Sequence, residues 1–322
     1  MALVLLGCGW IARRHAAAAR RLRMPTIFAS RDAARAAAYA REFGGVGAYG
    51  DYGEALRDPR AQGAIVCTPH DRHLDDALQA LAAGRHVLIE KPLARTLEDA
   101  DRLIEAAARA GRVLMTAENF HFMPAFRWVR ATLEAGTLGA LREIHLSSRG
   151  WRQHAGWRLG ADAGGGALID GGIHYVHLLW AWGGDVRRVF ALRPPQTIAG
   201  MAGEDAVDLL AECRGGVVGF LANSLGAPGL PRFQWSTVTG TRATCFVDNR
   251  GRVALVRGEG GLRLRLFGRD TRGHETMLRT FDEAMRTGRA VEMDGAAGRR
   301  DLAVVLAAYR SIAEGVPVAP AC

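Results

Sequence analysis

Apolar and polar positions in the first third of the chain fall into alternating blocks. Residues 2–6 (Ala-Leu-Val-Leu-Leu) form a continuous apolar run, the pattern of a strand buried on both faces of a parallel sheet. A glycine turn follows, Gly7-Cys8-Gly9-Trp10-Ile11-Ala12, and then an Ala- and Arg-rich helical stretch over 12–23. The blocks repeat as a strand over 26–30, a helix over 33–43, a strand over 63–67 and a helix over 74–84 closed by Gly84. A strand over 86–89, a helix over 97–110 and a strand over 113–116 complete the series. Alternation at this spacing predicts a parallel sheet with crossover helices. It stops near Glu118-Asn119, which places a domain boundary there, with domains over 1–118 and 119–322.

Beyond the boundary the periodicity changes. A helix over 124–135 leads to a strand over 141–149, a polar loop rich in Trp and Arg over 150–166, and a helix over 167–182. Strand-like segments follow at 186–192, 206–214, 216–224, 233–239, 243–248, 252–257 and 262–267, and helices at 274–287 and 296–314 close the chain. Consecutive strands flanked by helices predict an α+β domain on a mostly antiparallel sheet. One face of such a sheet can stay open, which suits a contact between copies of the chain.

Composition narrows the class. With 322 residues, 49% hydrophobic and 23% charged, the chain is long enough for two domains and has the balance of a soluble globular protein. The formal charge of +9 does not point to nucleic acid, because arginines are interleaved with acids and no basic block, zinc or helix-turn-helix pattern is present. Cys8, Cys67, Cys213, Cys245 and Cys322 are odd in number and scattered, as expected in a reducing cytoplasm. The apolar start is too short for a signal peptide and no run is long enough to span a membrane, so a cytoplasmic location without a membrane partner is expected.

Three stretches carry candidate chemistry. The first is the glycine turn. Strand, turn and helix are the context of a dinucleotide fingerprint, with Gly7 for the tight turn, Gly9 for approach of a pyrophosphate and Ala12 for close helix packing; a tight turn without a ligand is the plainer alternative. At the end of the second strand, Ser30 and Arg31 stand where an acid would bind the 2′-hydroxyl of NAD. Asp32 comes too late and reads as the N-cap of the next helix. NADP(H) is accordingly favoured over NAD(H), with a surface role for Arg31 as the alternative.

The second is His86-Val87-Leu88-Ile89-Glu90-Lys91-Pro92, which holds the only lysine in the chain; the other cations among the 42 Lys and Arg residues are all arginine. A compact donor kept at one place suggests chemistry that arginine cannot perform, unless it is a survivor of the composition. The third is the run from Gly164 to His177. Asp170 and His174 are four apart and share a helical face, while Gly171 and Gly172 imply close approach by another backbone or a ligand. The pair can handle protons, or it can be a capping acid and a core histidine. Asp170, His174 and His177 resemble a metal face only loosely, and no second cluster completes it; no metal is expected. Trp151, Arg152, His154, Trp157 and Arg158, in the preceding loop, can stack on and hydrogen-bond a sugar or an anionic group.

Together these motifs resemble the glucose–fructose oxidoreductase, inositol dehydrogenase and rhizopine-catabolism (Gfo/Idh/MocA) oxidoreductases. The resemblance rests on Gly7-x-Gly9-x-x-Ala12, Thr68-Pro69 with His73, Gly84-x-His86-Val87 leading to Glu90-Lys91-Pro92, the Gly164–Gly166 run and Asp170-x-Gly172-x-His174. It covers nearly the whole chain. It implies an α/β fold: an N-terminal Rossmann domain and a C-terminal α+β domain whose mostly antiparallel open sheet makes homodimers or homotetramers. Lys91, Asp170 and His174 become the catalytic set, and a cis Lys91–Pro92 bond is allowed. Gly7, Gly9, Trp10, Ile11, Ser30, Arg31, Thr68, Pro69, His73 and Glu90 are assigned to the cofactor. Asn119, Trp157, Arg158 and His177 are assigned to the substrate. Two departures from the family pattern are the displaced acid after the second strand and His177, which stands where Asp is frequent.

The expected function is NADP(H)-dependent hydride transfer on a secondary alcohol or ketone of a sugar, cyclitol or related diol. The alternatives are a non-catalytic cofactor-binding sensor and a dehydrogenase of aromatic dihydrodiols. Trp10, Phe120, Phe122, Trp151, Trp157 and Tyr175 keep the last of these open.

Overall fold

The computed structural model describes residues 2–151, 156–160, 165–230 and 234–321. In chain order the elements are β1 (Ala2–Leu6), α1 (Trp10–Arg21), β2 (Thr26–Ala29), α2 (Ala33–Phe43), β3 (Gly47–Tyr49), α3 (Tyr52–Arg57), β4 (Ala61–Val66), α4 (His73–Ala82), β5 (His86–Glu90), α5 (Leu97–Ala110) and β6 (Leu114–Ala117). There follow α6 (Asn119–Phe122), α7 (Pro124–Glu134), β7 (Leu141–Arg149), α8 (Ile173–Gly183), β8 (Val186–Leu192), β9 (Ala206–Cys213) and β10 (Val218–Ser224). The last are β11 (Trp235–Gly240), β12 (Ala243–Asp248), β13 (Val253–Gly258), β14 (Gly261–Leu266), α9 (His274–Thr287) and α10 (Gly295–Glu314). The chain divides into two compact units, Met1–Glu118 with His274–Arg299, and Asn119–Gly273 with Arg300–Cys322.

In the first unit six parallel strands lie in the order β3-β2-β1-β4-β5-β6. This is the doubly wound order, in which ligands bind outside the carboxyl ends of the strands. The apolar runs are continuous because both faces are covered: β1, β2 and the last three residues of β4 are buried throughout. Asp32 caps α2, accepting from the Arg35 N–H at 3.2 Å, as its position predicts. The short β3 and α3 were not expected. One boundary is corrected: 274–299 was assigned to the second domain but packs in the first unit. Arg21 pairs with Glu275 at 2.6 Å, and the Thr116 N–H donates to the Met293 carbonyl at 2.7 Å. The amphipathic pattern of α9 showed that it has an apolar face, but not which sheet that face covers.

The second unit is built on eight strands in the order β14-β13-β12-β11-β7-β10-β9-β8. All neighbours are antiparallel except β7 and β10. Helix α8 packs on β7 to β10 and α7 on β12 and β13. The side facing them is apolar, with Ile144, Leu221, Val238, Cys245 and Val247 buried.

Candidate functional site

The first unit gathers its expected residues at the carboxyl ends of parallel strands. Gly7 follows β1, Ser30 follows β2, Thr68 lies just beyond β4, and Lys91 follows β5 directly. Gly7 has φ 92°, and a Cβ there would sit 3.0 Å from the Cys67 carbonyl oxygen, so glycine is required on both counts. Gly9 is different: it is the N-cap of α1, offers no side-chain cap, and a Cβ on it would meet nothing within 4 Å. Protein packing does not call for glycine at that position. Trp10 is 62% exposed, with the Arg14 guanidinium 5.3 Å from its ring centre, and Ile11 is half-buried. Ser30 is buried and accepts from the Asp32 N–H at 3.2 Å, whereas Arg31 is exposed.

His73 and Glu90, expected to line the cofactor, are both buried and hydrogen-bonded within the protein. His73 is fully buried, and its ring nitrogens lie 2.8 Å from the Pro92 carbonyl oxygen and 3.1 Å from that of Thr68. It ties the Thr68-Pro69 loop to the cis Lys91–Pro92 peptide. Burial lowers its pKa, against the two carbonyl contacts, which raise it. Glu90 is paired with His15 of α1, Oε1 to Nε2 at 2.6 Å. Burial alone would raise its pKa, but the His15 bond and the charges of Lys91 and His274 outweigh burial and hold it below the ordinary value. Lys91 itself is half-buried.

In the second unit the run expected as a helix over 167–182 opens as a wider π-helical turn, Leu168–Gly172, before α8. Its first amides are satisfied from elsewhere in the chain. The Leu168 N–H donates to Glu204 Oε1 at 2.9 Å, the Ile169 N–H to the Tyr309 hydroxyl at 3.2 Å, and that hydroxyl to Glu204 Oε1 at 2.9 Å. At Gly166 a Cβ would overlap the Glu204 carboxylate, which would have to move. Of the two glycines read as points of close approach, Gly172 has Asn223 of β10 against it, with Cγ 3.1 Å from its Cβ position. Gly171 has nothing within 4 Å.

Asp170 accepts from Arg158 Nε at 2.9 Å, and the Arg158 guanidinium lies 4.3 Å from the centre of the Trp157 ring. The imidazole of His174 is stacked on Phe120, with ring centres 4.5 Å apart and planes 11° apart. The Nδ2 of Asn119 donates to the Arg272 carbonyl at 2.8 Å. His177, expected to contact the substrate, is fully buried, with Nε2 3.1 Å from His121 Nδ1 and Nδ1 2.9 Å from Asp301 Oδ2. Arg152, His154 and Gly164 lie outside the described residues. Among the described residues no group of three His, Cys, Asp or Glu could hold a metal ion, and no helix is long and apolar enough to cross a membrane.

The model of the oxidoreductase family with an NAD-binding Rossmann fold matches residues 1–118, and that of the GFO/IDH/MocA C-terminal domain matches residues 126–246. The chain belongs to the Gfo/Idh/MocA oxidoreductase family. Trans-1,2-dihydrobenzene-1,2-diol dehydrogenase of Mus musculus is 31% identical over 226 residues, 68% of this chain and 65% of that protein. Myo-inositol 2-dehydrogenase of Thermotoga maritima is 28% identical over 280 residues, 83% of this chain and 82% of its own. Levoglucosan dehydrogenase in complex with NADH shares the fold, with a TM-score of 0.89 at 22% identity over 100% of this chain and 99% of that one.

Sequence reading of this Gfo/Idh/MocA chain missed several supporting residues: His15 behind Glu90, Glu204 and Tyr309 at the π-turn, and His121 and Asp301 around His177. No motif marks them. Each is separated from its partner by 36 to 140 positions. Only a buried polar position without a local partner could have singled them out.

Proposed function

We propose that the chain is an NADP(H)-dependent oxidoreductase acting on a secondary alcohol or ketone of a sugar, cyclitol or related diol. The observation that carries this reading is the single lysine at the carboxyl end of β5, in the sheet whose β1 turn is the glycine fingerprint. The residues present fit a dinucleotide. The uncapped start of α1, with open space at the Gly9 Cβ position, suits a pyrophosphate. Ser30 and the exposed Arg31 suit a 2′-phosphate, since Asp32 is committed to capping α2.

When bound, the nicotinamide supplies the hydride acceptor or donor at its C4. The protein's part is the proton and the charge on the substrate oxygen. In oxidation, His174 takes the hydroxyl proton as the carbon–hydrogen bond electrons leave as hydride; in reduction it returns the proton to the oxygen. Lys91 donates a hydrogen bond to that oxygen and stabilises the alkoxide as it develops. Asp170, itself held by Arg158, orients and polarises His174 or Lys91. Arg158 and Trp157 contact the substrate's hydroxyls, as does Asn119.

A second reading, an aromatic dihydrodiol as substrate, is favoured by Phe120 stacked flat on His174 and by the similarity to the mouse diol dehydrogenase. The test is a steady-state assay with NADP+ and NAD+ over sugars, cyclitols, anhydrosugars and trans-dihydrodiols, run alongside Lys91→Met. Turnover on the best substrate is expected to fall by about 100-fold or more in the variant, while nucleotide still binds. Full turnover without the lysine would falsify its role.

A further inference from the structure

Asp301, His177 and His121 form a buried hydrogen-bonded chain that the proposed chemistry does not use. All three are in the second unit, at 3%, 0% and 8% exposure. A carboxylate oxygen can only accept, so the 2.9 Å contact to Asp301 Oδ2 places the proton of His177 on Nδ1. With His177 neutral, its Nε2 offers a lone pair, and the 3.1 Å contact is then a bond donated by His121 Nδ1. In that state one carboxylate on α10 sets the tautomers of two histidines in succession.

The end of this chain is next to the candidate proton-transfer group. His121 belongs to α6, a single turn of four residues, too short to hold its own orientation. The residue beside it, Phe120, lies on the His174 imidazole at 4.5 Å. Helix α8 carries both His174 and His177, one turn apart. The bond from His177 to His121 therefore ties α6 to α8 at the level where Phe120 covers His174. Arg300 lies on the other side of the carboxylate, 3.6 Å from Asp301 Oδ1, with its guanidinium 3.4 Å from the centre of the Trp180 ring.

We propose that the Asp301–His177–His121 chain is a positioning element for His174. It fixes α6 on α8 so that Phe120 holds the imidazole plane at the angle proton transfer needs. The functional weight of the chain rests on assigning His174 to proton transfer; the packing claim does not, and the experiment separates the two.

The experiment is long-range 1H–15N spectroscopy of the full chain labelled at histidine, with signals assigned through single His→Gln variants. His121 and His177 are both expected as Nδ1–H tautomers, and the carbon-bound ring protons of His174 are expected upfield, under the Phe120 ring. In His177→Phe, which keeps a ring but breaks the chain, those protons are expected to move back toward free-imidazole positions while those of His86, in the first unit, stay in place. His121→Phe is expected to do the same and carries the comparison should His177→Phe not fold. An Nε2–H tautomer at His121, or a folded variant with unmoved His174 protons, overturns the proposal. Movement of the His174 protons with unchanged turnover on the substrate found by the screen would instead remove His174 from proton transfer and leave the packing claim standing.

Discussion

Arg31 is the position on which the proposed preference for NADP(H) rests. The acid that would compete for a ribose hydroxyl, Asp32, has its carboxylate on the Arg35 N–H and 3.8 Å from the Arg35 guanidinium, so it serves the helix. What remains at the end of β2 is a hydroxyl and an exposed guanidinium, the pair that a phosphate monoester requires. A charge-assisted hydrogen bond contributes roughly 1.5–3 kcal/mol. Arg31→Ala is therefore expected to weaken NADPH by about 10- to 100-fold and leave NADH nearly unchanged. Nicotinamide fluorescence titrations of both nucleotides measure this directly, and an equal loss for the two would discard the 2′-phosphate reading. At the same scale, the partners of His73 and Glu90 were not legible in the sequence. Both stand beside motif residues, but a motif does not report which way a side chain turns. Here both side chains are buried against a polar partner, Pro92 for one and His15 for the other.

Among the elements, the π-turn at Leu168–Gly172 departs most from the sequence expectation. Periodicity found a helix there and placed Asp170 and His174 on it, which is as much as local pattern can carry. The wider turn depends on Glu204 and Tyr309, which reach the Leu168 and Ile169 amides from other elements. Wide turns of this kind recur at functional sites. Gly166 is where the arrangement is most easily broken. A methyl group there displaces the Glu204 carboxylate, whose pKa burial already raises, and strips the Leu168 N–H of its acceptor. Gly166→Ala is expected to cost about 1–3 kcal/mol, read as a lowered thermal midpoint. Gly171→Ala, with nothing within 4 Å of its Cβ position, is expected to leave the midpoint close to wild type. Similar midpoints for the two variants would show that Glu204 can move without loss.

At the scale of the whole molecule, the second sheet carries a register row across all eight strands: Phe190, Leu210, Phe220, His145, Thr237, Phe246, Leu255 and Leu264. It lies on the face away from α8, and Leu210, Phe220 and Leu264 are 41%, 39% and 59% exposed. Large apolar side chains aligned in one row of a sheet are the composition of an isologous contact, and a homodimer or homotetramer through this face is our reading. Light scattering is expected to give a multiple of 34.6 kDa for the wild type and a smaller mass for Phe220→Asp. A monomeric wild type would end this reading. The strand pattern and the open face were legible because alternation with period two exposes one side of each strand. The return of 274–299 to the first unit was not, because an amphipathic helix does not encode its partner sheet. The lone lysine has a practical consequence at this scale. Lys91 is the only side-chain amine among 322 residues, and it is half-buried at a strand end. Acylation or reductive methylation of side-chain amines thus addresses one residue, and on the intact chain a second mass increment beyond that of the α-amino group reports the accessibility of that residue.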